Sequence, residues 1–74
     1  MLTIGVDVGG TSIKSALISV EDGKYSILQN YSTPTQGDKG AEVIVGNIVK
    51  AIEHFDLSGV ERIGVATAGT VDWN

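Results

Sequence analysis

Leu2-Thr3-Ile4-Gly5-Val6-Asp7-Val8-Gly9-Gly10-Thr11-Ser12-Ile13-Lys14-Ser15-Ala16-Leu17-Ile18-Ser19-Val20 is the stretch that decides the fold. Leu2 to Val8 carries apolar side chains at even positions and Thr3, Gly5 and Asp7 at odd ones, the two-residue period of a half-buried strand. Gly9-Gly10 breaks the period and Thr11 to Val20 resumes it with β-branched residues, which predicts a tight turn between two antiparallel strands. Glu21-Asp22-Gly23-Lys24 is the next turn, with Asp-Gly supplying the positive-φ positions of a type I′ hairpin. A third strand follows over residues 25–33, with Tyr25, Ile27 and Tyr31 expected on one face. Pro34 ends it, since proline has no N–H for the ladder.

Beyond Pro34, Thr35-Gln36-Gly37-Asp38-Lys39-Gly40 reads as a polar connector. Ala41, Ile44, Val45, Ile48, Ala51, Ile52 and Phe55 then recur at three- and four-residue steps, the apolar stripe of a helix, with Glu42, Asn47, Lys50, Glu53 and His54 off it. Asp38 is the candidate N-cap. Leu57-Ser58-Gly59 closes the helix, residues 60–67 read as a fourth strand, and the glycine-containing loop Ala68-Gly69-Thr70 follows. The order is β-β-β-α-β: a three-strand antiparallel meander, a helix, and a fourth strand placed parallel to strand one and beside it. The class is α/β, or α+β by count within these residues. With one sheet face bare and strand four at an open edge, the chain is expected to be the start of a larger domain and marginal alone.

Composition narrows the function. Five Lys and Arg against nine Asp and Glu give a net charge of −4, which leaves no basic footprint for nucleic acid or anionic lipid. Cysteine is absent, which removes disulfides, thiolate metal sites and cysteine nucleophiles. The N-terminus has no basic n-region, and no stretch approaches the roughly 18 apolar residues of a membrane span. A cytoplasmic location and no membrane partner are expected.

The chemistry concentrates in Asp7-Val8-Gly9-Gly10-Thr11-Ser12-Ile13-Lys14. Glycines let backbone N–H groups approach phosphate oxygens, and successive N–H groups in a turn form an anion-binding concavity. Thr11 adds a hydroxyl, Asp7 can hold magnesium directly or through its waters, and Lys14 brings positive charge toward a transferring phosphoryl group. Taken singly, each residue is also ordinary turn or strand-surface chemistry. Neither the spaced glycines of a dinucleotide fingerprint nor the Gly-Lys-Ser/Thr of a Walker loop is present.

Ile4-Gly5-Val6-Asp7-Val8-Gly9-Gly10-Thr11-Ser12-Ile13-Lys14-Ser15-Ala16-Leu17 closely resembles the first phosphate-binding segment of the ROK family (repressors, open reading frames and sugar kinases), within the actin, Hsp70 and hexokinase superfamily of ribonuclease-H-like folds. Gly64-Val65-Ala66-Thr67-Ala68-Gly69-Thr70-Val71-Asp72 resembles the family's second segment, which borders the sugar pocket in its kinases. The resemblance implies that residues 1–74 are the N-terminal part of the first, ATPase-like domain of a sugar kinase acting on a hexose or N-acetylhexosamine, as a glucokinase does. It implies ATP and Mg2+ as cofactors, phosphate contacts from Gly9, Gly10 and Thr11, magnesium positioning by Asp7, Lys14 near the phosphates, and sugar contacts from Gly69 and Thr70. The family's acidic base and its His and cysteine zinc site would lie further along a chain of this kind, so these residues alone are expected to be catalytically inactive. A homodimer is the family's frequent state. The alternatives are a sugar-responsive repressor of the same family, disfavoured because Met1 sits one residue before strand one, and a non-catalytic sugar- or ATP-binding module. His54, the only histidine, reads as an exposed helical residue without a metal-binding partner.

Overall fold

The computed structural model describes residues 1–67, and the elements run β1 (Leu2–Val8), β2 (Ser12–Glu21), β3 (Lys24–Pro34), α1 (Ala41–Glu53) and β4 (Val60–Thr67), with a single 3-10 turn at Gly37–Lys39. The four strands form one sheet in the order β3-β2-β1-β4. β1–β2 and β2–β3 are antiparallel and β1–β4 is parallel, as the residue pattern predicts. Asp22 and Gly23, at φ 52° and 75°, make the β2–β3 hairpin turn.

The core is the meeting of α1 with one sheet face. Ile4 and Val6 of β1, Ile13 and Leu17 of β2, and Ala51 and Phe55 from α1 and its exit are all buried. Ile4 and Ile13 are fully enclosed, and each such side chain contributes about 1.5–3 kcal/mol by leaving water. Ser15 shares this face and donates its hydroxyl to the Ala51 carbonyl (3.1 Å), tying β2 to the last turns of α1. Thr3 on β1 donates to the Arg62 carbonyl (3.1 Å) and so links the first strand to β4.

The structure corrects the expected details at three places. Asp38 does not cap α1: it lies in the 3-10 turn, and the N-cap is Gly40 at φ 102°, with no side-chain cap hydrogen bond. That φ is open to glycine and strained for other residues, so the connector turns sharply into the helix through its backbone. Tyr25, Ile27 and Tyr31 do not share a face. Leu17 pairs with Gln29 and Ile18 with Ile27, so the register slips around Leu28, and the slip puts Tyr31 with the core-facing residues and Tyr25 and Ile27 on the opposite, exposed side. Asn47, expected off the apolar stripe, is buried, whereas Val45 is 58% exposed on the helix flank. His54 is exposed, as expected, at the C-cap of α1, and its ring stacks on Tyr31 (centroids 3.9 Å apart) and meets Phe55 edge-on.

No helix among the described residues is long and apolar enough to cross a membrane.

Candidate functional site

β1 and β2 are joined by Gly9-Gly10-Thr11, and the residues singled out by the sequence converge there. The Gly9 amide donates to the Ser12 carbonyl (2.9 Å), closing the turn. Among the described residues the amides of Gly10 and Thr11 meet no protein acceptor. Gly10 and Thr11 are exposed, so two adjacent N–H groups and one hydroxyl are presented together at the end of the sheet. This is the arrangement that binds anions.

Close packing dictates Gly9. A Cβ there would stand 2.9 Å from the Ser12 carbonyl oxygen, a backbone atom held in the turn's own hydrogen bond. Among the described residues nothing lies within 4 Å of a Cβ at Gly10, so the glycine there keeps open the approach to the two amides.

Asp7 and Lys14 stand directly opposite each other in the β1–β2 ladder, so their side chains share one face, the bare face away from α1. Both are exposed. They line one end of an open depression of about 330 Å³ whose floor is Gly5, Ala16 and Ile18, with Asn30 of β3 beside them. Asn30 pairs with Ala16 in the β2–β3 ladder and therefore points the same way, a placement that the β3 residues alone do not reveal because of the register slip.

The turn is held from behind. Thr35, just past β3, donates its amide to the Thr11 carbonyl (3.0 Å) and its hydroxyl to the Gly9 carbonyl (2.8 Å). The Thr35 carbonyl in turn accepts from the Asn47 side-chain amide on α1 (3.1 Å), which also reaches the Gln36 side-chain oxygen (3.2 Å). Thr35 and Asn47 are both buried. The residue pattern reads Thr35 as part of a polar connector and Asn47 as lying off the apolar stripe.

A single exposed carboxylate suits a magnesium ion that retains most of its waters, and no group of three or more His, Cys, Asp or Glu side chains that could hold a metal occurs among the described residues. His54, stacked on Tyr31, has no such cluster around it. Gly69 and Thr70, the expected sugar contacts, lie outside the described residues.

The sequence matches no protein-family model and no curated protein. Solved structures do match. A Ppx/GppA family member from Aquifex aeolicus is similar over 90% of this chain and 26% of its own, with 22% identity and a TM-score of 0.66. The type II variant of the Aquifex aeolicus Ppx/GppA phosphatase gives 20% identity over the same shares, with a TM-score of 0.65. A glycerol dehydratase reactivase gives 23% identity over 89% of this chain and 12% of its own, with a TM-score of 0.67. The fold is the actin-like, ribonuclease-H-like one. At these identities the likeness is one of fold, and the chain spans about a quarter of the length of the Ppx/GppA proteins it matches.

Proposed function

We propose that the chain is the N-terminal portion of an ATP-dependent sugar kinase, contributing the first phosphate-binding turn of a nucleotide site. The observation that carries this reading is the pair of amides at Gly10 and Thr11 that meet no acceptor among the described residues, set beside Asp7 and Lys14 at the end of a hairpin. Phosphate oxygens would accept from those two amides and from the Thr11 hydroxyl, and Lys14 would offset their charge. Asp7 would hold magnesium through its waters, and that cation would neutralise charge on the transferring phosphoryl group. The sugar assignment, hexose or N-acetylhexosamine, rests on the resemblance of residues 4–17 and 64–72 to the ROK segments, with Gly69 and Thr70 as the proposed sugar contacts.

Phosphoryl transfer is chiefly positioning and electrostatics, and it needs a base for the acceptor hydroxyl as well as phosphate contacts on both sides. These residues would supply binding and orientation, and the base would come from elsewhere in a longer chain. Cytoplasmic location and a homodimeric whole protein belong to the same proposal.

A second reading follows from the neighbours. A Ppx/GppA phosphatase and a reactivase share this fold, so a nucleotide- or phosphate-binding part of a protein that does not phosphorylate sugars is the alternative. The test is to express the full open reading frame that carries this chain and assay ATP-dependent phosphorylation across a panel of hexoses and N-acetylhexosamines. Sugar-dependent ADP release at rates above those of an Asp7→Ala variant is expected. Magnesium-dependent ATP binding without turnover on any sugar would overturn the kinase reading and favour the alternative.

A further inference from the structure

The peptide between Gly9 and Gly10 is flanked by residues without a Cβ, so steric opposition to its rotation is minimal. No peptide bond among the described residues is cis, and in a trans peptide the C=O and N–H point in opposite directions. The direction of the Gly10 N–H is therefore set by where the Gly9 carbonyl points. If that peptide rotated by half a turn, a carbonyl oxygen would face any approaching anion in place of a donor.

The Gly9 carbonyl is held on the inner side by the Thr35 hydroxyl at 2.8 Å, and the Thr11 carbonyl by the Thr35 amide at 3.0 Å. Thr35 is itself fixed by Asn47, which reaches it from the second turn of α1. Thr35 and Asn47 are both buried, so water competes little for the bond between them, and the Thr35 hydroxyl bond to Gly9 is partly buried.

We infer that Thr35 and Asn47 are positioning residues: they lock the Gly9–Gly10 peptide with its N–H outward, and so set the turn for the phosphates of a nucleotide. The ligand part of the inference rests on the phosphate-binding reading above, whereas the lock itself is a property of the unliganded chain. Buried polar pairs of this kind also serve simply to satisfy one another, so the test must separate orientation from stability.

The experiment uses the intact chain with Thr35→Val, which keeps the shape and removes the hydroxyl, Thr35→Ser, which restores it, and Asn47→Ala. Backbone 15N relaxation is measured without ligand, and Mg·ATP is then titrated while the Gly10 and Thr11 amide signals are followed. In the parent and in Thr35→Ser, the order parameters of Gly9 to Thr11 are expected near the rigid-backbone value of about 0.85. In Thr35→Val they are expected below about 0.6, with the Asp22-Gly23 turn unaffected as the internal control. Asn47→Ala is expected to move them in the same direction. Mg·ATP affinity is expected to fall about five- to tenfold in Thr35→Val, the scale of one hydrogen bond, and to stay within about twofold of the parent in Thr35→Ser.

An unchanged turn in Thr35→Val overturns the lock. A loosened turn with unchanged ATP affinity overturns its role in ligand binding. A loosened turn in a chain whose parent also fails to bind Mg·ATP upholds the lock and removes the nucleotide reading alone. Should Thr35→Val unfold, Asn47→Ala with Thr35 intact carries the same comparison.

Discussion

Gly9 and Gly10 are adjacent, chemically identical and both in the β1–β2 turn, yet the geometry predicts opposite outcomes when each becomes alanine. At Gly9 the new methyl would sit 2.9 Å from the Ser12 carbonyl oxygen, closer than Cβ atoms come in folded proteins. That oxygen is backbone, so the relief must come from opening the turn and stretching the Gly9 amide bond to Ser12. Losing that bond costs about 0.5–1.5 kcal/mol and the forced shift of packed backbone about 1–3 kcal/mol more, for a total of about 1.5–4.5 kcal/mol. At Gly10 the methyl meets nothing within 4 Å among the described residues and φ lies outside the left-handed region, so the change should fall within about 0.5 kcal/mol of neutral. Urea unfolding followed by far-UV circular dichroism measures both, with the midpoint falling for Gly9→Ala and holding for Gly10→Ala. Titration with Mg·ATP then gives the functional half: Gly10→Ala, though folded, should bind more weakly because its methyl stands at the free amides. If Gly9→Ala unfolds at the parent's midpoint, or Gly10→Ala loses as much stability as Gly9→Ala, the account of the turn is wrong.

Ile13→Ala removes a side chain that is fully enclosed between β2 and α1, and a loss of about 2–5 kcal/mol is expected in the same unfolding assay. Asp7→Asn, at an exposed position, should leave the unfolding midpoint within about 0.5 kcal/mol of the parent while abolishing the magnesium-dependent part of ATP binding, read by titrating ATP with and without the cation. Asp56 accepts from the Ser58 amide at 3.0 Å, and this bond, with a further one from the Ser58 hydroxyl, holds its carboxyl below the ordinary value. Its folded pKa is the lower one, so its contribution is present above the unfolded value of about 3.9 and disappears as pH falls through the folded value. The stability gap between the parent and Asp56→Ala should accordingly close on acidification below about pH 4, and a gap that widens there would contradict the sign.

What the sequence disclosed about the fold depended on whether a single period ran through an element without interruption. β1 and β4 are short, and the one register shift of their ladder falls at its start, where Leu2 pairs with Val60 and Thr3 with Arg62, so their limits are legible, and the parallel placement of β4 beside β1 follows from the intervening helix. β3 is legible as a strand but not by face, because one residue of register slip near Leu28 exchanges the two sides and leaves no mark in an alternating polar and apolar run. The helix start differs from the residue pattern for another reason. Asp38 is a good capping residue by type, but the connector spends it in a 3-10 turn and enters α1 through the positive φ of Gly40.

At the candidate site, the groups that face outward were legible and the groups that hold them were not. Asp7, Gly9, Gly10, Thr11 and Lys14 are contiguous in sequence, so a motif can carry them. Thr35 and Asn47 come to the turn only through the return of β3 and the docking of α1, and each belongs to a residue type common on surfaces. One signal was present: Asn47 falls three residues after Ile44 and four before Ala51, inside the stripe that packs on the sheet. A side-chain amide on that face must find partners or cost stability, and the nearest groups in need of a donor are the carbonyls of the segment that closes over the turn. A polar residue in an otherwise apolar stripe thus marks where a helix engages irregular backbone, and here that backbone is the support of Gly9-Gly10-Thr11. The site is better described as a hairpin turn, the residue after β3 and one helical amide acting together than as a glycine motif alone, since the motif supplies the donors and the other two set their direction.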